Sequence, residues 1–484
     1  MSSFDVASNI CQALSLGAVE LRQTLAARFG VSLPPTAIFD YPTVGALSRF
    51  IAEATAPAMS RMSPASASSG VTKSGGGTAF GASGDGAGVG AIEVASSACE
   101  YPRGVSSPGQ LWSALTAGTE FQEIVPLERF DPELCGGGAR TATFVADVDL
   151  FDAGVFRVSD AEALAMDPQQ RKLLELCLRN YVAVGADTLA DAVGSRTGVY
   201  LGVMWTEFQH LLVALGATQN GYTATGNGLS FLVGRPSFVF GLVGPSAVVD
   251  TACSSSLVAT HLACTAVSRG EATSAHAAGV QCMLLPDTFG VLNSLNSLSP
   301  NGRCKTLDAG ADGYGRGEGF AALYMCPPSA SAASSDSTQE GVVLRILGAA
   351  VNQDGRSRTF TAPYGPSQQA LMVQALGEAS TGPGEVRFLS SHGTGTPLGD
   401  PIELAAAGRA LSSGTDTTAA ADGSSPSLTV IGASKSFLGH TEGTAGMSGL
   451  LMAAAAAGKL AAPAGPGRYC SPLHPSYFAP RFLR

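Results

Sequence analysis

Apolar positions along the chain fall into two alternating kinds of run. Short runs rich in β-branched residues span 197–201, 246–250, 386–389 and 428–432. Longer stretches with helical spacing, such as 255–267 and 367–379, lie between them. Alternation of this kind predicts an α/β fold, with helices layered on a largely buried sheet. The N-terminal part differs. Leu16, Val19, Leu21 and Leu25 with Phe29 form one helical stripe ending at Gly30, and Val44, Leu47 and Ile51 form a second after the break at Pro34-Pro35. Residues 1–54 therefore read as a small helical module. Residues 55–88 are Ser, Gly, Ala and Pro with almost no large apolar side chain, the composition of a flexible linker. A globular part follows over 89–484, interrupted by a Ser/Ala-rich surface loop at 327–339. No repeat of 20 to 50 residues is visible.

Composition narrows the class. Of 484 residues, 45% are hydrophobic, so a sizeable core is available and general disorder is excluded. Only 14% are charged and 60 are Gly, which predicts many turns and close backbone approaches. A formal net charge of -10 argues against nucleic acid or an anionic membrane as partner. The longest apolar stretch, 450–458, is short of the ~20 residues of a membrane span. The start, MSSFDVASNI, lacks a secretory pattern, so a cytoplasmic protein is expected. Ten Cys occur without a CxxC pair. That spacing favours a reducing compartment and one special thiol over a disulfide framework or a zinc site.

Three residues stand out chemically. Cys253 lies in a small-residue turn, Thr251-Ala252-Cys253-Ser254-Ser255, between a β-branched run and a helical one. A thiol at a helix N-terminus is shifted toward thiolate, the nucleophilic form. The plainer alternative is a buried structural Cys. His392 follows the run at 386–389 and opens the Gly/Thr-rich stretch His392-Gly393-Thr394-Gly395-Thr396-Pro397. His440 follows the run at 428–432, with Lys435 five residues before it. Strand-to-loop corners are where an α/β sheet presents catalytic groups, although a loop histidine can also serve only its own turn. A Cys with two His fits thiol hydrolysis, which needs one His as base. It also fits acyl transfer with decarboxylative carbon–carbon bond formation, where two imidazole N–H groups can hold an enolate oxygen.

The chain resembles, from about Ala91 onward, the ketosynthase (β-ketoacyl synthase) domain of modular type I polyketide synthases. The matching segments run in order: Met166-Asp167-Pro168-Gln169-Gln170-Arg171, Asp250-Thr251-Ala252-Cys253-Ser254-Ser255, Asn301-Gly302-Arg303-Cys304-Lys305, Arg316-Gly317-Glu318-Gly319, the HGTGTPLGDP run from His392, and Lys435 through Gly439-His440. The resemblance implies a thiolase-like duplicated αβαβα layered core, with the Cys from one half and both His from the other. It implies Cys253 as acyl-accepting nucleophile, His392 and His440 as catalytic histidines, and Lys435 as an electrostatic lysine paired with Glu318. It implies no cofactor for the condensation itself. Acyl and malonyl carrier domains are the implied partners, and a homodimer forms through the core.

Residues 1–54 resemble the latter part of an acyl carrier protein domain, through Leu16-Gly17-Ala18-Val19-Glu20-Leu21-Arg22 and Phe39-Asp40-Tyr41-Pro42-Thr43-Val44. Ser15 stands where that family's phosphopantetheine-bearing serine belongs; the alternative is an ordinary helix-cap serine. Leu14 replaces the family's Asp, and few residues precede Ser15, so this module is expected to be partial and unmodified. Phe437 replaces the usual Asn of the lysine loop. The family's Gly-Phe-Gly-Gly-Thr-Asn loop and closing strands do not follow Arg484, so a C-terminally truncated synthase domain is expected. Two other readings stand beside the synthase. A thiolase would need a second active-site Cys, and His440 argues against it. A non-catalytic fragment would act at most as a partner-binding module.

Overall fold

The computed structural model describes residues 91–460, apart from 136–138, 186–189, 218–219, 329–343, 360 and 413–428, together with 25–28, 30, 47–50 and 52. The chain divides into two compact units, residues 1–87 with 354–367, and residues 88–353 with 368–484. In the first unit, 25–28 and 47–50 are helical, and half-buried Leu25, Ala26, Leu47 and Phe50 pack together. Of these, Leu25 and Leu47 belong to the two apolar stripes, one to each. Ser15 and the linker at 55–88 lie outside the described residues.

In the second unit the elements that matter for the site are, in order, β1 (Ile92–Glu100), α1 (Pro108–Thr116), β2 (Glu123–Ile124), β3 (Thr141–Ala142), α2 (Pro168–Val184), β4 (Thr197–Gly202), α3 (Leu229–Phe240), β5 (Ser246–Val249) and α4 (Ser255–Ser268). Then come β6 (Ser274–Gln281), β7 (Gly319–Cys326), β8 (Leu344–Ile346), β9 (Phe388–Ser390), α5 (Gly399–Ser412), β10 (Val430–Gly432), α6 (Lys435–Leu438) and α7 (Ala445–Leu460). Six strands form a mixed sheet in the order β5-β4-β6-β7-β1-β8. Its first three strands are parallel, and the rest pair antiparallel. β9 and β10 form a separate parallel pair, with Leu389 opposite Ile431.

Strand periodicity divides the core. Tyr200, Ala275, Ala277, Ala321 and Leu323 face one side, with Ala259 and Ala263 of α4 and Met447 and Leu451 of α7. Val199, Leu201, Ala278, Val280, Phe320 and Ala322 face the other, with Leu173, Leu174 and Cys177 of α2 and Leu232 and Val233 of α3. α7 also packs on α4 and on β9. The layers thus run α2/α3, large sheet, α4/α7, small sheet, which is the α/β layering the alternation predicts. Small residues in β4 and β6 let α4 close on the sheet. A Cβ on Gly202 would lie 2.3 Å from the Ser256 nitrogen, and one on Gly279 would lie 2.8 Å from the Ser256 Cβ. This contact places the start of α4, and Cys253 just before it, against the middle of the molecule.

Boundaries differ from the sequence pattern by a residue or two. β9 starts at Phe388, because a single 3₁₀ turn at Pro383–Glu385 occupies the chain just ahead of Val386. Among the described residues, no helix is long and apolar enough to cross a membrane.

Candidate active site

Between β5 and α4 the chain must reverse within five residues. It does so by placing Ala252 in the left-handed region, at φ 54°. A residue with a Cβ pays roughly 1–2 kcal/mol for this conformation, so the turn needs anchors. The Ala252 N–H donates to Asp250 Oδ1 at 3.0 Å and the Thr251 N–H to Ser255 Oγ at 2.9 Å. Ser255 Oγ–H in turn donates to the Ala252 carbonyl at 2.6 Å. The small polar residues of this segment are therefore the struts of the turn that presents Cys253.

His392 leaves the end of β9. The Ser391 N–H donates to the Gly432 carbonyl of β10 at 2.7 Å. Glu403 on α5 accepts the His392 N–H at 2.5 Å and the Gly393 N–H at 2.9 Å. Thr306 Oγ1–H donates to the Gly393 carbonyl at 2.6 Å, and Asp400 accepts from Leu307 and Gly395. The Gly-rich stretch is a clamped loop. It delivers His392 Nε2 to 3.6 Å from Cys253 Sγ.

His440 is held by its backbone, which donates to the Gly315 carbonyl at 2.6 Å and accepts from Gly317 at 2.9 Å. Its Nδ1 accepts the Glu442 N–H at 2.9 Å. In a neutral imidazole with Nδ1 accepting, the proton sits on Nε2, which is thereby left as a donor. The two imidazoles meet edge to face, with ring centroids 5.5 Å apart. Cys253 Sγ and one ring nitrogen of each histidine all lie within 4.8 Å of one another.

Electrostatics then decides what the group can do. Burial pushes the His440 pKa well below the ordinary imidazole value, and Lys435, His392 and Arg316 add to it. His392 is exposed at its loop, yet enough of the protein crowds it to act on its charge. That crowding and then Lys435 also lower its pKa. Both rings are neutral at neutral pH, and His440 presents its Nε2–H as a donor. A thiol hydrolase needs the opposite, a histidine basic enough to stand as imidazolium beside a thiolate. The helix position of Cys253 predicts a thiol shifted toward thiolate, but the structure reverses the sign. Burial raises the Cys253 pKa, against the pull of the Lys435 ammonium and of a backbone N–H. Lys435 is itself buried, and its pKa is lowered by that burial.

Comparison with known proteins places this geometry. The family model for the beta-ketoacyl synthase N-terminal domain matches residues 50–330, and that for the C-terminal domain matches residues 343–464. The chain belongs to the β-ketoacyl synthase family. A further model, for a phosphopantetheine attachment site, matches residues 15–51. The sequence is 39% identical over 455 residues to polyketide synthase GfsE of Streptomyces halstedii, covering 91% of this chain and 11% of that one. It is 37% identical over 459 residues to erythronolide synthase EryA2 of Saccharopolyspora erythraea, covering 91% and 12%. This ketosynthase chain thus spans about a tenth of the length of those relatives. Among solved structures it is similar to the oxazolomycin ketosynthase domain OzmH KS7 of Streptomyces albus, with a TM-score of 0.66 and 33% identity over 75% of this chain and 62% of that one. A ketosynthase from the bacillaene synthase of Bacillus subtilis gives a TM-score of 0.65 and 31% identity, with 75% and 60% coverage. The fold is thiolase-like, and the family's members are acyltransferases of the 3-oxoacyl synthase type.

The structure brings Cys253, His392 and His440 together and sets the Lys435 charge beside them. It does not pair Lys435 with Glu318. The Glu318 carboxylate is taken by Arg129 at 3.1 Å, by the Val145 N–H at 2.8 Å and by the Met283 N–H at 2.7 Å. Glu318 ties β7 to the loop after β3 and is fully occupied there, so the expected Lys435 pair is corrected. Glu403, Glu442 and Arg316 were not singled out by sequence reasoning as parts of the site. The signal lay in burial of charge, which one-dimensional patterning does not carry.

The Lys435 charge has a measurable consequence. Replacing Lys435 with Met removes the group that lowers the Cys253 pKa. The pH midpoint for alkylation of Cys253 by iodoacetamide should therefore move upward. An unchanged or lower midpoint would show that the ammonium does not act on the thiol.

Proposed function

We propose that this chain catalyses decarboxylative Claisen condensation, joining a malonyl-type carrier thioester to an acyl group held on Cys253, in polyketide or related fatty acid assembly. The observation that carries the reading is the convergence of one thiol with two neutral imidazoles. In the first step, Cys253 Sγ attacks the incoming acyl thioester. The thiol proton passes to the departing carrier thiol. Next, a malonyl thioester loses CO₂. The electrons of the broken carbon–carbon bond form an enolate, whose oxygen receives hydrogen bonds from the Nε2–H groups of His392 and His440. The enolate carbon then attacks the acyl-Cys253 carbonyl and expels the thiolate, giving a β-ketoacyl thioester on the carrier. Neutral donors suit this cycle, because an imidazolium would protonate the enolate. Lys435 supports the thiolate as it leaves, and Glu318 braces the framework.

We further propose a layout of carrier-like module over 1–54, linker over 55–88 and synthase domain from 89. It is supported by the phosphopantetheine attachment match at 15–51 and by the division between units at residue 87. Ser15 occupies the proposed attachment position of that module, which, with Leu14 before it, is expected to stay unmodified. Acyl and malonyl carrier domains are the proposed partners, and the cytoplasm is the proposed location. A homodimer is favoured by β5. It forms an edge of the large sheet, is half-buried along most of its length, and packs on α3, the helix that carries the exposed Phe238. An open edge beside apolar surface suits pairing with a second copy.

Acylation is tested by peptide mapping after treatment with a cerulenin-type electrophile. Among the described thiols, Cys99, Cys135, Cys177, Cys264, Cys282 and Cys304 are buried, whereas Cys253 and Cys326 are partly exposed. The label should sit on Cys253. A label on Cys326 with Cys253 spared would reject the assignment.

A further inference from the structure

Beneath His440 lies a buried network of charge that the condensation cycle does not itself use. The Glu442 carboxylate accepts from Arg316 twice, Nε to Oε1 at 2.7 Å and Nη2 to Oε2 at 2.9 Å. It also accepts from Gln281 Nε2 of β6 at 2.7 Å. Arg316 lies over the Phe289 ring at 4.4 Å and reaches Glu207 at 3.7 Å. Glu207 is fixed in turn by the Leu284 and Leu285 N–H groups and by Thr288. Arg316 and Glu442 are both buried.

The backbone of Glu442 is unusual. Its φ is 39°, in the left-handed region that glycine favours. The N–H of this same residue donates to His440 Nδ1. A residue with a side chain keeps such a conformation only where its surroundings over-determine it. Here three donors on the carboxylate do so, and two of them come from Arg316. The neighbours of Arg316, Gly315 and Gly317, bond the main chain of His440. The ion pair therefore ties together the two segments whose relative placement sets the His440 ring.

We propose that Glu442, anchored by Arg316, is a positioning residue that keeps the His440 proton on Nε2. Released from its anchor, residue 442 relaxes toward negative φ and carries its N–H away from Nδ1. Nδ1 then competes for the single ring proton, and the site loses one of its two donors. A carboxylate that merely neutralises Arg316 would leave the tautomer unchanged. This inference rests on the role proposed above for His440.

The test uses the full chain with ¹⁵N-labelled histidine and two variants, Glu442→Gln and the double variant Arg316→Met/Glu442→Met. The double variant removes both members of the pair and leaves the Glu207 carboxylate on its Leu284, Leu285 and Thr288 donors, so it carries the test if the single variant does not fold. The probe substrate is the malonyl thioester of N-acetylcysteamine. In the parent, His440 Nδ1 should give the resonance of an unprotonated ring nitrogen. In a folded variant that signal should average with the protonated form. kcat for CO₂ release should fall roughly 100-fold, the size of one lost oxyanion donor, with KM little changed. A folded variant with both the Nδ1 signal and kcat unchanged overturns the proposal. A changed signal with unchanged CO₂ release supports the positioning role and overturns the function assigned to His440.

Discussion

Replacing Cys253 with Ala should reduce condensation on the order of 10⁴-fold or more, while CO₂ release from a malonyl thioester persists. Condensation needs the acyl-accepting sulfur, and no other thiol joins the two histidines in the described cluster. Decarboxylation needs only the donors, and those remain. The converse variant separates the roles. His440→Ala should lower CO₂ release by about 10²–10³-fold, because the enolate loses one of its two N–H groups. His392→Ala should do the same. The measurement is paired: CO₂ release and β-ketoacyl product, for parent and variants, on the same acyl and malonyl thioesters. If Cys253→Ala retains condensation, the nucleophile is another group. If His440→Ala releases CO₂ at the parent rate, the enolate is stabilised elsewhere. A thiolase mechanism predicts no CO₂ release at all, so the same assay separates the two condensation chemistries.

The catalytic candidates were legible because each stands at a change of local pattern. Cys253 follows a β-branched run and opens a small-residue helix, and His392 and His440 each close a strand signal with a Gly-rich turn. Such turns are local, so local sequence describes them. Their electrostatics is not local. For Cys253, burial raises the pKa more than the Lys435 ammonium and a backbone N–H lower it, and neither the burial nor Lys435 is visible in the local sequence. Glu318 was drawn toward Lys435 by their shared place in one set of motifs, whereas its actual partner, Arg129, lies 189 residues away. Arg316 and Glu442 are 126 residues apart, and Glu403 acts on a loop eleven residues behind it through its fold across α5. Layering was legible, since β-branched runs alternate with helical stretches along the chain. The small sheet was legible only in part. β9 and β10 are three residues each, too short for a period-2 signal.

A second large effect concerns acid stability and lies away from the site. His276 in β6 is fully buried between Tyr181 and Tyr324, with ring centroids 4.8 and 5.0 Å away. Among the described residues, neither ring nitrogen has a hydrogen-bond partner. Burial holds the pKa down at about 3, against 6.5 for an ordinary imidazole. Above pH 6.5 the ring is neutral in both folded and unfolded chains, and it costs nothing. As pH falls from 6.5 toward 3, the unfolded chain takes up a proton that the folded chain refuses, so stability is lost across that window. At pH 4.5 the loss from this one residue should be roughly 2–3 kcal/mol. Asp167 and Asp400 act in the opposite sense. Burial raises both to about 6, so acidification removes a cost of keeping them ionised. They partly mask the histidine in the parent, and a His276→Phe variant isolates it, because all other groups are shared. Phe keeps the edge contacts with both tyrosines and gives up no hydrogen bond to the protein. Urea unfolding at pH 7 and pH 4.5 should show the variant within about 1–2 kcal/mol of the parent at neutral pH. At pH 4.5 the difference should move in favour of the variant by the amount above. Parallel losses in the two proteins would mean that His276 accepts a proton in the folded state, and that the aromatic cage around it is not closed to charge.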